Sequence, residues 1–208
     1  MRYWLLLTAI AIVAASAPVA AMAGQPDRNT STVPRCLFVC PQGEIVSTVI
    51  VRDIANNPIV NSTVLIDFSE CPGVVLCPPD GTEPYAILPG PKLQLVTDDA
   101  GQVVFPIRAG GVCRGEPVIT ADYFLLRQYP GVASPDQDGN LIVDDRDEAI
   151  LVEKILRGIG ESWDVTTGIN CSGGGDALSA FLPHLGHACP GVVPVEKGSW
   201  GRLKLRYR

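Results

Sequence analysis

The sequence predicts a mostly β protein, an antiparallel β-sandwich followed by a small α-helical module built from loops and helices. Three observations predict this fold class. Between residues 44 and 129, apolar residues recur with period two and are interrupted by turn residues. Residues 136–147 then carry oxygen-bearing side chains at alternate positions. Residues 148–156 follow with apolar residues at helical spacing.

The chain begins with the pattern of a secretory signal peptide, expected over residues 1–23. A single positive charge, Arg2, precedes an apolar run that is short for a bilayer span, and small residues at Ala21 and Ala23 suit cleavage before Gly24. An uncleaved membrane anchor is the alternative. We therefore expect a secreted or cell-surface protein whose mature chain does not span a membrane.

The charge and the cysteine content of the chain indicate which partners are excluded and whether the cysteines form disulfides. The net charge is −6, and the basic residues cluster only at the extreme C-terminus, which argues against a nucleic-acid partner. Seven cysteines in an exported chain predict disulfides. Five of them fall in the first half, so one is unpaired or joined elsewhere, and the connectivity stays open. The five cysteines of the first half are Cys36, Cys40, Cys71, Cys77 and Cys113.

The first module is predicted over residues 36–129 from its strands and turns. A turn at Asn56-Asn57-Pro58 and another at residues 98–101 separate runs rich in Val, Ile and Phe. A proline- and cysteine-rich insert at residues 71–91 is expected to be a long loop held by a disulfide. The predicted strands are residues 46–52, 63–68, 93–97, 103–108 and 117–126.

These residues resemble the bacterial Ig-like domains of the intimin and invasin type. The resemblance covers residues 44–122 and rests on the strand-turn-strand at 49–60, the run Val64-Leu65-Ile66, and the turn at 97–101 that leads into Val103 and Phe105. It implies an Ig-like β-sandwich that serves as a stiff spacer or an adhesive module without catalytic residues.

The oxygen-bearing residues that follow the linker at 129–135 have the spacing of a calcium loop. Ca²⁺ takes six to eight oxygens, and a 12-residue loop wraps it when ligands recur at alternate positions and a carboxylate closes the ring. Leu141 occupies position 6, where Gly is expected; a shifted frame with Gly139 there loses one carboxylate ligand, so the first frame is preferred. The predicted Ca²⁺ ligands are Asp136, Asp138, Asn140, Ile142 through its carbonyl, Asp144 and Asp147.

A degenerate second copy of the loop is predicted at residues 168–179. It keeps Asn170, Ser172 and Asp176 but lacks both end carboxylates, so it is expected to bind Ca²⁺ poorly. A short helix is predicted over residues 177–185, ending at Gly186.

Two such loop-helix units resemble the type I dockerin module over residues 134–189. The resemblance implies a small α-helical module that folds around Ca²⁺ and docks a helix face onto a cohesin domain, in assemblies that degrade polysaccharides. By position, Asp145 and Arg146 would be the partner-binding residues. The family usually has small or hydroxyl residues at these two positions.

Cys171 and Cys189 flank the degenerate loop and are predicted to form a disulfide within the second module. Closing about 18 residues would contribute on the order of 3 kcal/mol in the chain-entropy model. This covalent closure would take the place of the missing second ion.

The sequence does not predict an enzyme. His184 and His187 lie close to Cys189, but a zinc site needs three or four convergent ligands, and a disulfide-bonded cysteine is not one of them. Motifs of nucleophilic catalysis are missing from the sequence. Asp144 and Asp145 are neighbours in one loop and do not flank a glycosidic bond.

We expect an exported, non-catalytic calcium-binding interaction or assembly protein with a link to polysaccharide catabolism. Its partner would be a cohesin-like or cell-surface protein. The alternatives are an accessory subunit or fragment of a carbohydrate-active enzyme, and a purely structural surface protein. The basic tail at 190–208 is either an envelope-contact signal or a terminal strand or frayed end.

Overall fold

The computed structural model describes residues 24–157 and 177–192, which form a mostly β structure with antiparallel sheets. The predicted signal peptide, most of the degenerate loop and the tail beyond residue 192 lie outside the described residues. The strands are β1 (Leu37–Phe38), β2 (Val46–Ile50), β3 (Thr63–Asp67), β4 (Val75–Leu76), β5 (Ala86–Leu88), β6 (Lys92–Val96), β7 (Gln102–Pro106), β8 (Ala109–Gly110), β9 (Val118–Ala121), β10 (Phe124–Gln128) and β11 (Val132–Ala133). The helices are α1 (Asp145–Arg157) and α2 (Ala177–Phe181), and a 3₁₀ helix follows at Leu182–His184.

The main core lies between a five-stranded sheet and a two-stranded pair. The sheet has the order β10-β9-β3-β6-β5, and β2 pairs with β7. Alternate residues of β2, β3, β7 and β9 are buried, as Val64 and Ile66 of β3 are, so in these strands the period-two pattern is the pattern of burial. Phe105 of β7 packs into the same core. The predicted strands at 46–52, 63–68, 93–97 and 103–108 therefore correspond to β2, β3, β6 and β7.

The fifth predicted strand, residues 117–126, is instead a hairpin. Strands β9 and β10 pair with Phe124 opposite Ala121, which leaves Asp122 and Tyr123 as a two-residue turn. Both have left-handed backbones, with φ of 47° and 71°. Such turns usually carry Asn or Gly, so the sequence signal was weak. The Asp122 carboxylate accepts from Ser62 Oγ and Thr63 N, both at 2.8 Å, and this holds the turn.

Two disulfides tie the insert at 71–91 to other parts of the chain. Cys71 bonds Cys113, as expected for a stapled insert. Cys77 bonds Cys189, across a sequence separation of 112. This pairing corrects the prediction of a Cys171–Cys189 disulfide, since Cys189 is joined to the insert and Cys171 lies outside the described residues. The C-terminal segment is thus bound to the first module.

The segment predicted as a linker is part of the packed structure. Strand β11 pairs in parallel with β1, and Ala133 accepts a hydrogen bond from Val39 N at 3.0 Å. Ser134 and Asp136 are completely buried. The acidic loop therefore begins inside the protein, directly against the sheets.

A second, smaller core connects the acidic loop and both helices to β1 and β11. Its buried members are Phe38, Ala133, Val143, Leu151 and Phe181. Helix α1 contributes Leu151, whereas Val152, Ile155 and Leu156, which share its helical spacing, are exposed.

The outward-facing apolar residues of α1 are Val152, Ile155 and Leu156, and Leu156 is 82% exposed. Neither α1 nor any other helix of the described residues is long and apolar enough to cross a bilayer.

Candidate metal centres

Three predicted Ca²⁺ ligands converge in the acidic loop. One carboxylate oxygen from each of Asp136, Asp138 and Asp147 lies within 4.8 Å of the other two. Asp136 and Asp147 are completely buried, although they stand at opposite ends of the loop. The loop thus closes on its two end carboxylates, as a 12-residue calcium loop must.

Backbone N–H groups of the loop hold these two carboxylates in place. Asp136 Oδ1 accepts from Gly139 N and its Oδ2 accepts from Leu141 N, both at 2.8 Å. Asp147 Oδ1 accepts from Gln137 N at 2.7 Å, and its Oδ2 accepts from Asp144 N at 2.9 Å. The hydrogen bonds fix the loop around the point where the carboxylates meet.

The electrostatics of this point favour a bound cation. Burial raises the pKa of Asp136 to about 7, and the nearby charge of Asp147 adds to this effect, while the hydrogen bond from Leu141 N opposes it. Burial likewise raises the pKa of Asp147. Negative charge is therefore costly here without a counterion, and a divalent cation would relieve that cost.

The other predicted ligands occupy different positions in the loop. Asp144 lies outside the converging group and precedes α1, where its Oδ1 accepts from Arg146 N at 2.8 Å as a helix cap does. Asn140 Oδ1 accepts from Ile142 N at 2.8 Å. Ile142 lies opposite Ala188 in an antiparallel β-bridge whose hydrogen bonds are made by the residues on either side of the pair. The carbonyl of Ile142 therefore points away from Ala188.

Leu141 has the backbone conformation that its loop position requires. Its φ is 69°, in the left-handed region that Gly adopts freely and a branched side chain adopts at a cost. The departure from Gly at position 6 thus leaves the turn intact but strained.

The two residues predicted to bind a partner, Asp145 and Arg146, are exposed at the start of α1. Arg146 Nε lies 3.1 Å from Asp138 Oδ2. One of the two therefore already forms an ion pair with a candidate Ca²⁺ ligand.

A second group of metal-binding side chains lies about the C-terminal segment. Cys40, Glu44, His184 and His187 each offer one ligand atom, and the four atoms lie within 4.8 Å of one another. The Nδ1 atoms of His184 and His187 lie 2.5 and 2.7 Å from Glu44 Oε1. The same two atoms lie 3.9 and 3.7 Å from Cys40 Sγ.

Charge and burial distinguish the two acidic groups of this cluster. Burial raises the pKa of Glu44, but hydrogen bonds from His184 and Cys40 outweigh it and lower the pKa to about 2. Burial, together with the hydrogen bond to Glu44, raises the pKa of the Cys40 thiol far above its usual value. The carboxylate is thus ionised and the thiol protonated when no cation is near.

Sequence reasoning considered the two histidines with Cys189 and missed Cys40 and Glu44. Cys189 is indeed in a disulfide, but its partner is Cys77. The residues that approach the histidines are about 140 positions away, since Glu44 and His184 are 140 residues apart. The local signals were an unassigned cysteine with a glutamate four residues later and the His-x-x-His spacing.

Neither a protein-family model nor a curated protein matches this chain.

Proposed function

We propose that the protein is an exported, non-catalytic calcium-binding interaction protein, in which an Ig-like β-sandwich carries a dockerin-like calcium loop. The observation that carries the proposal is the convergence of Asp136, Asp138 and Asp147 within 4.8 Å. The hard carboxylate oxygens, the loop length and the helix that begins at position 10 all suit Ca²⁺. Asn140 and the carbonyl of Ile142 are available as further oxygen ligands.

Helix α1 is the surface proposed to meet the partner. Val152, Ile155 and Leu156 are exposed on it, and Asp145 and Arg146 lie at its first turn. Ca²⁺ would fix the start of this helix, because Asp147 belongs both to the loop and to the first turn. The proposed partner is a cohesin-like or cell-surface protein, in an assembly that acts on polysaccharides.

A purely structural role for the ion is the second candidate, and one observation favours it. Gly111 N donates to the carbonyl of Asp136 at 2.8 Å, and the side chain of Asp136 lies directly against Gly110. The loop is therefore packed on the sheets, where a bound ion would stiffen the junction between the two parts of the chain.

Calorimetric titration of the mature protein with Ca²⁺ tests the proposal. We expect one Ca²⁺ site in the wild type and its loss in Asp136→Ala and in Asp147→Ala. Asp99→Asn, which removes an exposed carboxylate of the turn at 98–101, is the matched control and should bind as the wild type does. Equal affinities in all four proteins would overturn the proposal.

Capture of a partner separates the two candidates. Immobilised protein should retain an exported partner in Ca²⁺ and release it in EDTA, and Ile155→Asp on α1 should abolish the capture. Ile54→Asp is a suitable control, since Ile54 is an exposed apolar residue of a turn outside α1. Calcium binding without a calcium-dependent partner would favour the structural role.

A further inference from the structure

The cluster of Cys40, Glu44, His184 and His187 is built from two segments that the fold holds against each other. Cys40 and Glu44 flank a turn in which Gly43 N donates to the Cys40 carbonyl at 2.9 Å. His184 and His187 flank another turn, in which His187 N donates to the His184 carbonyl at 2.9 Å. Each turn therefore directs two ligand side chains to one point.

The second turn is fixed by contacts outside the cluster. Gly186 has a left-handed backbone with φ of 87°, and its N–H donates to the Val143 carbonyl at 2.8 Å. Cys189, just beyond, is bonded to Cys77. The histidines are thus positioned before any ion arrives, which lowers the entropic cost of binding one.

The spacing of the ligand atoms is close to that of a tetrahedral site. Bond lengths of about 2.0 to 2.3 Å to a Zn²⁺ ion place neighbouring ligand atoms roughly 3.3 to 3.6 Å apart. The distances from Cys40 Sγ to the two Nδ1 atoms are 3.9 and 3.7 Å. The Glu44 oxygen, at 2.5 and 2.7 Å from the same nitrogens, is at hydrogen-bond distance and would have to move outward by roughly 0.5 to 1 Å.

The state of its cysteine is the feature of this cluster that a bound metal ion would explain. Cys40 is a buried free thiol in an exported chain whose other described cysteines are all in disulfides. A metal–thiolate bond would keep that thiol from oxidation or exchange.

We propose that Cys40, Glu44, His184 and His187 bind a structural Zn²⁺ ion that fastens the C-terminal segment to the sheets. Sulfur and imidazole ligands select a borderline-soft ion and not Ca²⁺, which takes oxygens. Four protein ligands make a closed site, so the role is structural. The inference is independent of the calcium site, because the two ligand sets share no residue.

Titration of the chelator-treated full-length mature protein with Zn²⁺, in excess Ca²⁺, tests the inference. We expect one Zn²⁺ per chain in the wild type. Affinity should fall on the order of a hundredfold in His187→Ala and in Glu44→Gln, since each ligand carries a share of the binding free energy. Glu116→Gln removes an exposed carboxylate elsewhere and should leave Zn²⁺ affinity unchanged.

Substitution with Co²⁺ identifies the sulfur ligand. The wild type should show a thiolate-to-cobalt charge-transfer band and the d–d bands of a tetrahedral ion, and Cys40→Ser should lose the former. Near-ultraviolet circular dichroism shows whether Cys40→Ser is folded. If it is not, the Zn²⁺ affinity of His187→Ala, which replaces a partly exposed residue, tests the inference instead. A wild type without the charge-transfer band, or a folded His187→Ala with wild-type Zn²⁺ affinity, would overturn the inference.

Discussion

The backbone N–H of Val143 donates to the carbonyl of His187 at 2.8 Å, and this hydrogen bond joins the acidic loop to the segment that carries both histidines. Cys189 N donates to the Leu141 carbonyl at 3.0 Å on the same pair of segments. Positions 6 to 8 of the acidic loop are therefore paired with the C-terminal segment. An ion bound at either candidate centre would act on the same strand pair.

Substituting Gly110 tests the packing of the loop on the sheets. A Cβ at this position would overlap the carboxylate of Asp136, so Gly110→Ala must displace that ligand. We expect Ca²⁺ affinity to fall by about ten- to a hundredfold, as it does when groups around a metal ligand are disturbed. Calorimetric titration measures the effect.

Gly81→Ala is the control for this substitution. Gly81, unlike Gly110, has a positive φ, of 82°, and open space surrounds it, so its replacement costs backbone strain of about 1 kcal/mol without touching the loop. Stability should fall and Ca²⁺ affinity should not. An equal loss of affinity in both variants would mean that general destabilisation explains the result.

Substituting Leu141 measures the strain at the turn of the loop. Leu141→Gly and Leu141→Ala both remove the side chain beyond Cβ, but only Gly adopts a φ of 69° without cost. We expect the Gly variant to exceed the Ala variant by about 1 kcal/mol in free energy of unfolding. Urea denaturation in EDTA checks this, and an Ala variant of equal stability would contradict it.

Removing the Cys77–Cys189 disulfide should affect both stability and ion binding. The sequence separations of 112 for Cys77–Cys189 and 42 for Cys71–Cys113 correspond to about 5 and 4 kcal/mol in the chain-entropy model. We expect the Cys77→Ala/Cys189→Ala variant to lose stability on that order. It should also expose residues 177–192 to limited proteolysis and weaken Ca²⁺ binding.

The Cys71→Ala/Cys113→Ala variant is the matched comparison. It should lose similar stability, but the strand pair between 141–143 and 186–189 remains anchored, so Ca²⁺ affinity should stay near that of the wild type. Equal Ca²⁺ affinities in the two double variants would argue against coupling through the C-terminal segment.

Neutralising Arg146 should strengthen Ca²⁺ binding slightly. The guanidinium lies 3.1 Å from Asp138 Oδ2 and competes with a cation for that carboxylate. Because its side chain is 67% exposed, solvent screens the pair, and Arg146→Gln should gain only about twofold in affinity. The gain should vanish in about 1 M salt, where the screening length is short.

Arg157→Gln provides the comparison on the same helix. Arg157 pairs with Glu153 at the far end of α1 and should leave Ca²⁺ affinity unchanged. A gain in both variants would indicate a long-range charge effect and not the contact with Asp138.

Local features of the structure follow closely from local sequence. The turn at residues 98–101 forms as predicted, with Gly101 at a φ of 71° and Asp98 Oδ1 accepting from Ala100 N at 2.9 Å. The inward-facing residues of β3 alternate as their sequence does. Side-chain hydrogen bonds over two to four residues and the two-residue period of a strand can both be predicted from a short stretch of sequence, because the interacting residues are close together in the chain.

The hairpin at Asp122 and Tyr123 and the outward face of α1 were less predictable. A left-handed turn without Gly or Asn is stabilised here by Ser62 and Thr63, which are distant in sequence. Residues 152, 155 and 156 have helical spacing with Leu151, but only Leu151 meets the second core. Apolar residues at helical spacing predict a helix, but they do not determine which of these residues are buried against the rest of the protein.

The sequence by itself determined the spacing of Asp136, Asp138 and Asp147, because a loop of fixed length confines its own ligands. Only the tertiary structure decided that Cys189 meets Cys77 and that Cys40 and Glu44 meet His184 and His187. Those meetings depend on the register of the sheets and the path of the chain over more than 100 residues. Hydrophobic periodicity and motif spacing do not predict such long-range contacts. The local pattern of a segment is the same whichever distant segment packs against it.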